Sequence, residues 1–153
     1  MNIALNINQY DINNIYYCDS IKNNVVSDGT FIRIIYSTDY FVTNGINISI
    51  PFSDVAIEKY YNKYKCVFNV SNNKNSIESI YNIEKEILDK VNTKSKIIQT
   101  KISDQLKNGN FKIFSENIDK SSNVQLFILK ISGIWETDNY IGLTFKFCKI
   151  NQC

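Results

Sequence analysis

From Val124 to Ile150 the chain runs almost entirely in period two. Phe127, Leu129 and Ile131 share one side of the first run, Val124–Trp135, with Lys130 and Ser132 on the other. In the second run, Tyr140–Ile150, Ile141, Leu143, Phe145 and Phe147 take one side, and Tyr140, Thr144 and Lys146 the other. Only Glu136-Thr137-Asp138-Asn139 separates them. Alternation of this kind puts successive side chains on opposite faces of a strand and does not build a helical stripe. Two long alternating runs joined by a short polar linker predict an antiparallel hairpin, and so a β-rich fold.

Upstream signals agree. Thr30-Phe31-Ile32-Arg33-Ile34-Ile35-Tyr36 is rich in β-branched and aromatic residues and follows the turn pair Asp28-Gly29, which predicts a strand. Phe41–Ile50 follows, alternating strictly over its second half, with a turn or bulge at Asn44-Gly45. Pro51 is expected to close it, because proline cannot extend a central ladder. Tyr64–Val70 predicts a third strand, with Cys66, Phe68 and Val70 on one face. Then the period changes. Ile77, Ile80, Ile83, Ile87 and Val91 predict an amphipathic helix over Ser76–Val91, opened by a capping box from Asn75 to Glu78. Lys94–Lys107 fits a helix ended by Asn108-Gly109, with Lys96–Lys101 also readable as a strand. Phe111–Ser115 alternates, with Lys112 and Phe114 on one side, and Asn14–Cys18 is a further short strand candidate.

The 153 residues contain no internal repeat or Pro/Gly/Ser linker, so residues 1–153 are read as one domain, with 1–28 as an N-terminal extension. No apolar run approaches the roughly 20 residues of a membrane helix. The start, Met1-Asn2-Ile3-Ala4-Leu5-Asn6, has no basic stretch followed by an apolar block. An intracellular protein with no membrane partner is therefore expected.

Composition removes much chemistry. There is no histidine, hence no Ser-His or Cys-His pair and no histidine metal site. Cys148 and Cys153 are a C-x4-C pair without a second pair to complete a zinc site. Cys66 and Cys148 lie in apolar runs and read as small core thiols, with no disulfide expected in a reducing compartment. Glu84, Glu86 and Asp89 lie on one helix turn, but Glu86 and Lys90 make an ordinary i,i+4 pair. No nucleotide-binding glycine loop is present. The chain is expected to be no enzyme and to hold no metal or cofactor.

The net charge of +2 is low for a duplex binder that makes many phosphate contacts. Arg33 is the only arginine among 17 basic residues. Lysine over arginine, with abundant Ile and Asn, points to an AT-rich genome.

The order of three strands, a helix and further strands is that of an OB-type barrel. Leu129-Lys130-Ile131-Ser132-Gly133-Ile134-Trp135 followed by Tyr140-Ile141-Gly142-Leu143-Thr144-Phe145-Lys146-Phe147 resembles the last hairpin of the short single-stranded-DNA-binding proteins of bacteriophages and large nucleocytoplasmic DNA viruses. Gly29, the strand Phe31–Tyr36, a second strand and Pro51-Phe52 are similar to the front of those proteins. The resemblance implies a mainly β fold with one or two helices, an OB-like partly open barrel with a helix between strands 3 and 4. It implies non-sequence-specific binding of single-stranded DNA, with RNA as the alternative, in viral replication, repair or recombination. A homo-oligomer is compatible with it, as is a location in host cytoplasm, viral factory or virion. The family's acidic tail is missing from Cys148-Lys149-Ile150-Asn151-Gln152-Cys153, which leaves a second expectation: a structural or protein-interaction module of a large DNA virus, a virion or accessory component without nucleic-acid binding.

Single-strand binding needs aromatic platforms for bases and basic groups for the backbone. The strand faces opposite the inferred core supply Phe31, Arg33, Lys65, Lys112, Phe114, Lys130, Tyr140 and Lys146, and Trp135 sits at the hairpin mouth. The competing expectation makes Phe31, Phe114 and Trp135 core residues, Trp135 above all as a plug. A carboxylate is the competing partner for Arg33. Lys90, Lys94, Lys96, Lys101, Lys107 and Lys112 form a basic run that reads either as a backbone track or as a solvated face.

Overall fold

The computed structural model describes residues 3–22, 29–113 and 124–149. In chain order the strands are β1 (Leu5–Asn6), β2 (Ile15–Lys22), β3 (Thr30–Ser37), β4 (Val42–Asn44), β5 (Ile46–Ser53), β6 (Ala56–Tyr60), β7 (Lys63–Val67), β8 (Ile97–Gln99), β9 (Asn110–Ile113), β10 (Val124–Glu136) and β11 (Tyr140–Lys149). Helix α1 (Lys74–Val91) follows β7, and α2 (Lys101–Lys107) lies between β8 and β9. The protein is mainly β, with one long helix and one short one.

The predicted hairpin of β10 and β11 is the spine of the sheet. One edge of β10 pairs with β11 from Phe127 to Glu136. Its other edge is shared: Val124–Ile131 pairs with β5, and Gly133–Glu136 pairs with β3. The change of partner coincides with a bulge, where the register steps from Ile131–Phe145 to Gly133–Thr144. Gly45, at φ +81°, makes room for it. A Cβ on Gly45 would stand 2.7 Å from the Ile131 carbonyl oxygen. The bulge shifts the inward positions of β10 from Phe127, Leu129 and Ile131 to Ile134, all fully buried.

The main path of the sheet is β1-β5-β10-β11-β9-β7-β6, and its ends do not meet. The sheet is not closed into a barrel. Among the described strands, the terminal β1 pairs only with β5 and the terminal β6 only with β7. Helices α1 and α2 cover the inner face. Ile80, Ile83, Ile87 and Leu88 of α1 and Ile102 and Leu106 of α2 pack with Ile34, Ile48, Phe127 and Leu129 of the sheet. Phe111 stacks on Phe147, with ring centroids 4.5 Å apart, and meets Phe127 edge to face at 4.9 Å.

Several local expectations change in three dimensions. Pro51 does not end β5 but pairs opposite Leu126 of β10. Its carbonyl accepts from the Ser76 hydroxyl at 3.2 Å, so its donor-free side faces α1 rather than β10. Helix α1 starts at Lys74, and the Asn75–Glu78 box is not its cap. Asn73 holds the N-cap position and uses its side chain on the Ser53 amide and carbonyl, at 2.8 and 3.2 Å, which ties the helix to the end of β5. Strand β6 had no clear sequence signal, because Glu58 and Lys59 interrupt it as charges commonly do on an edge strand. Both readings of Lys94–Lys107 are realised in part, as β8 and α2. Residues 5–22 contribute β1 beside β5 and β2 beside β3. Cys66 is a buried free thiol whose burial pushes its pKa up to about 12. Cys148 is buried but disulfide-bonded, not the free core thiol expected.

Candidate nucleic-acid interface

Directly opposed residues in neighbouring strands share a face of the sheet. Phe31 of β3 is opposite Trp135 of β10, and Arg33 is opposite Gly133. Across the other edge of β10, Trp135 is opposite Gly142, Gly133 opposite Thr144, and Lys130 opposite Lys146. The intervening Ile32, Ile34, Ile134, Ile141 and Leu143 are buried. Phe31, Arg33, Lys130, Trp135, Tyr140 and Lys146 therefore lie together on the outer face of β3, β10 and β11.

The two rings pack closely against glycine backbone. A Cβ on Gly142 would stand 2.5 Å from Cζ2 and 2.6 Å from Cε2 of Trp135. One on Gly133 would stand 2.6 Å from Cζ of Phe31. Each glycine opens the space its neighbour's ring fills, a close approach that only a missing side chain allows. Phe31 and Trp135 are half-buried and belong to no part of the core cluster. The core-plug expectation for Trp135 fails because simple alternation from Phe127 would put it inside, and the bulge at Ser132 turns it out. The ammonium of Lys101 lies 4.8 Å from the centre of the Trp135 ring.

A row of lysines crosses the sheet beside the rings. Lys65 of β7 is opposite Lys112 of β9. Ile113 pairs in parallel with Phe147, which sets Lys112 beside Lys146. Lys146 is opposite Lys130, and Lys130 is opposite Asn47 of β5. With strands about 4.8 Å apart, Lys65 to Lys130 spans roughly 14 Å. Glu58, opposite Lys65, borders the row. Like charges at opposed positions are unfavourable, and among the described residues Lys130 and Lys146 have no ion-pair partner. The face is thus a positive band next to two aromatic platforms. Below it, Ile128 and Cys148 on the same face are buried, so the exposed part runs from Tyr140 to Lys146.

Phe114 lies outside the described residues. Arg33 donates to Asn44 Oδ1 at 3.1 Å, so its described partner is an amide and not a carboxylate. Members of the basic run have different partners. Lys96 is held by Glu136 at 3.1 Å and by the Thr137 carbonyl at 2.7 Å, while Lys107 lies over the Tyr81 ring. Of that run, Lys101 lies over the Trp135 ring and Lys112 stands in the lysine row of the outer face.

Two features escaped the sequence reading. The glycine cradles left a signal, since Gly133 and Gly142 stand without side chains inside runs of β-branched and aromatic residues. Glu84 left none. It is buried in α1 and accepts from the Ile102 amide at 3.0 Å and from the Ser103 amide and hydroxyl at 3.0 and 2.6 Å, and so caps α2 from another helix. Burial raises its pKa, and the three hydrogen bonds oppose that rise.

Among the described residues, no group of three His, Cys, Asp or Glu side chains is placed to hold a metal ion, and no helix is long and apolar enough to cross a membrane. Comparisons with protein-family models, curated proteins and solved structures return no match for the chain.

Proposed function

We propose that the chain binds single-stranded nucleic acid without sequence preference, stacking bases on Phe31 and Trp135 and holding the phosphates with Arg33 and the lysine row. The observation that supports this reading is the convergence of two glycine-cradled rings and Lys65, Lys112, Lys146 and Lys130 on one face. Every base has a π-face, so stacking is tolerant of sequence, and lysine on phosphate carries no sequence information. A duplex hides its base faces, so ring platforms favour single strands. Tyr140 extends the aromatic edge towards β8, where it is opposite Ile97. No bond is made or broken.

In the finer reading the domain is an OB-type relative of viral single-stranded-DNA-binding proteins, serving replication, repair or recombination in a large DNA virus. The Gly133–Phe147 hairpin and the lysine-rich composition support that reading, and the open path of the sheet departs from it. Single-stranded DNA is the expected ligand and RNA the alternative. Filter binding with a poly-dT oligonucleotide at about 20 mM salt tests the proposal, since charge-driven binding is strongest there. Retention on the filter is expected, and none at that salt would end the reading.

A protein-interaction module of a virion or accessory component is the second reading. The net charge of +2 favours it, as do Tyr40 and Tyr61, 94% and 82% exposed at turns. It predicts no oligonucleotide retention.

A further inference from the structure

Lys101 is the first residue of α2, and its ammonium covers the Trp135 ring. The backbone of Gly142 packs closely against that ring. The ammonium therefore stands over the ring, where a stacked base would lie. The arrangement is supported from behind. The amides of Ile102 and Ser103, the next two residues, donate to the buried Glu84 carboxylate at 3.0 Å each. The backbone that carries Lys101 is thus anchored, while its side chain is exposed. An exposed ammonium on an indole is a weaker contact than a base–aromatic stack. Its flexible stem lets the charge move without moving the helix.

Resting on the single-strand reading above, we propose that Lys101 is a positioning residue that covers Trp135 in the free protein, yields the ring to a base, and takes the phosphate of that same nucleotide. In a nucleotide the phosphate is only a sugar away from the base, and the displaced ammonium stays tethered beside the ring. One side chain then couples stacking to charge neutralisation. The stack forms only as the ring's own cation moves to the incoming backbone.

The test compares wild type, Lys101→Met and Lys101→Arg for the salt dependence of dT-oligonucleotide affinity and for Trp135 emission. Met and Arg suit a helix about as well as Lys, so both variants should fold. Lys101→Met should flatten the log–log salt slope by about 0.7, the share of one phosphate on a single strand. It should keep the emission change on binding and alter the emission of the free protein, because the indole loses its cation. Lys101→Arg should keep the wild-type slope. If wild type binds and Lys101→Met shows the same slope, Lys101 is no phosphate contact and the inference falls while the binding function stands. If wild type does not bind, both fall together.

Discussion

Trp135 shows how one ring can be large, half-buried and yet dispensable to the core. It rests on Gly142 and under Lys101, outside the cluster that α1 and α2 close. Trp135→Ala should therefore weaken oligonucleotide binding by about 1–3 kcal/mol, the worth of one base–aromatic stack. Its denaturant midpoint should imply a loss well below the roughly 3–5 kcal/mol of a truncated core tryptophan. The opposite pattern, lost stability with unchanged affinity, would return Trp135 to the core. On the inner side, Glu84 is a buried carboxyl group. Its raised pKa means that the folded state holds the proton more tightly than the unfolded chain, with Asp104 adding to the effect of burial. Between the unfolded value near 4.5 and the raised folded value, stability must fall as pH rises. Urea titrations of wild type and Glu84→Gln across that window should show the wild-type advantage shrinking as pH rises. A constant difference would mean that Glu84 does not titrate there.

At the scale of elements, α1 is held by its apolar stripe rather than by its local cap. Ile87 is fully buried against the sheet, so Ile87→Ala should cost about 2–4 kcal/mol in a denaturant titration. A loss under about 0.5 kcal/mol would mean that the helix is not docked. The stripe from Ile77 to Ile87 was legible because helical period is a local property of the chain. The start of the helix was not, since Asn73 answers to Ser53, a residue twenty positions away. The same division runs through the strands. β3, β10 and β11 announce themselves by alternation and turn residues. Pro51 misleads, because whether a strand position needs a donor depends on what lies at its edge.

For the whole molecule, the decisive property is the summed charge of one face rather than the net +2. If Lys65, Lys112, Lys130, Lys146, Arg33 and Lys101 neutralise about four to six phosphates, the single-strand log–log salt slope should lie between about −3 and −4. A slope near zero would show that the lysine row does not meet the backbone. By itself the sequence determined the β-rich character, the main helix and the absence of histidine chemistry, since period, turn residues and composition are properties of neighbouring residues or of the list as a whole. It also placed Phe31 and Trp135 in strands. Only the tertiary structure decided which way Trp135 faces. The bulge beside Gly45, a residue of another part of the chain, reverses the parity of β10 between Ile131 and Gly133. Only the tertiary structure, too, brought Lys65, Lys112, Lys130 and Lys146 into one row. Strand order and register are set by which long-range pairings bury the apolar faces together, and no local pattern records that choice.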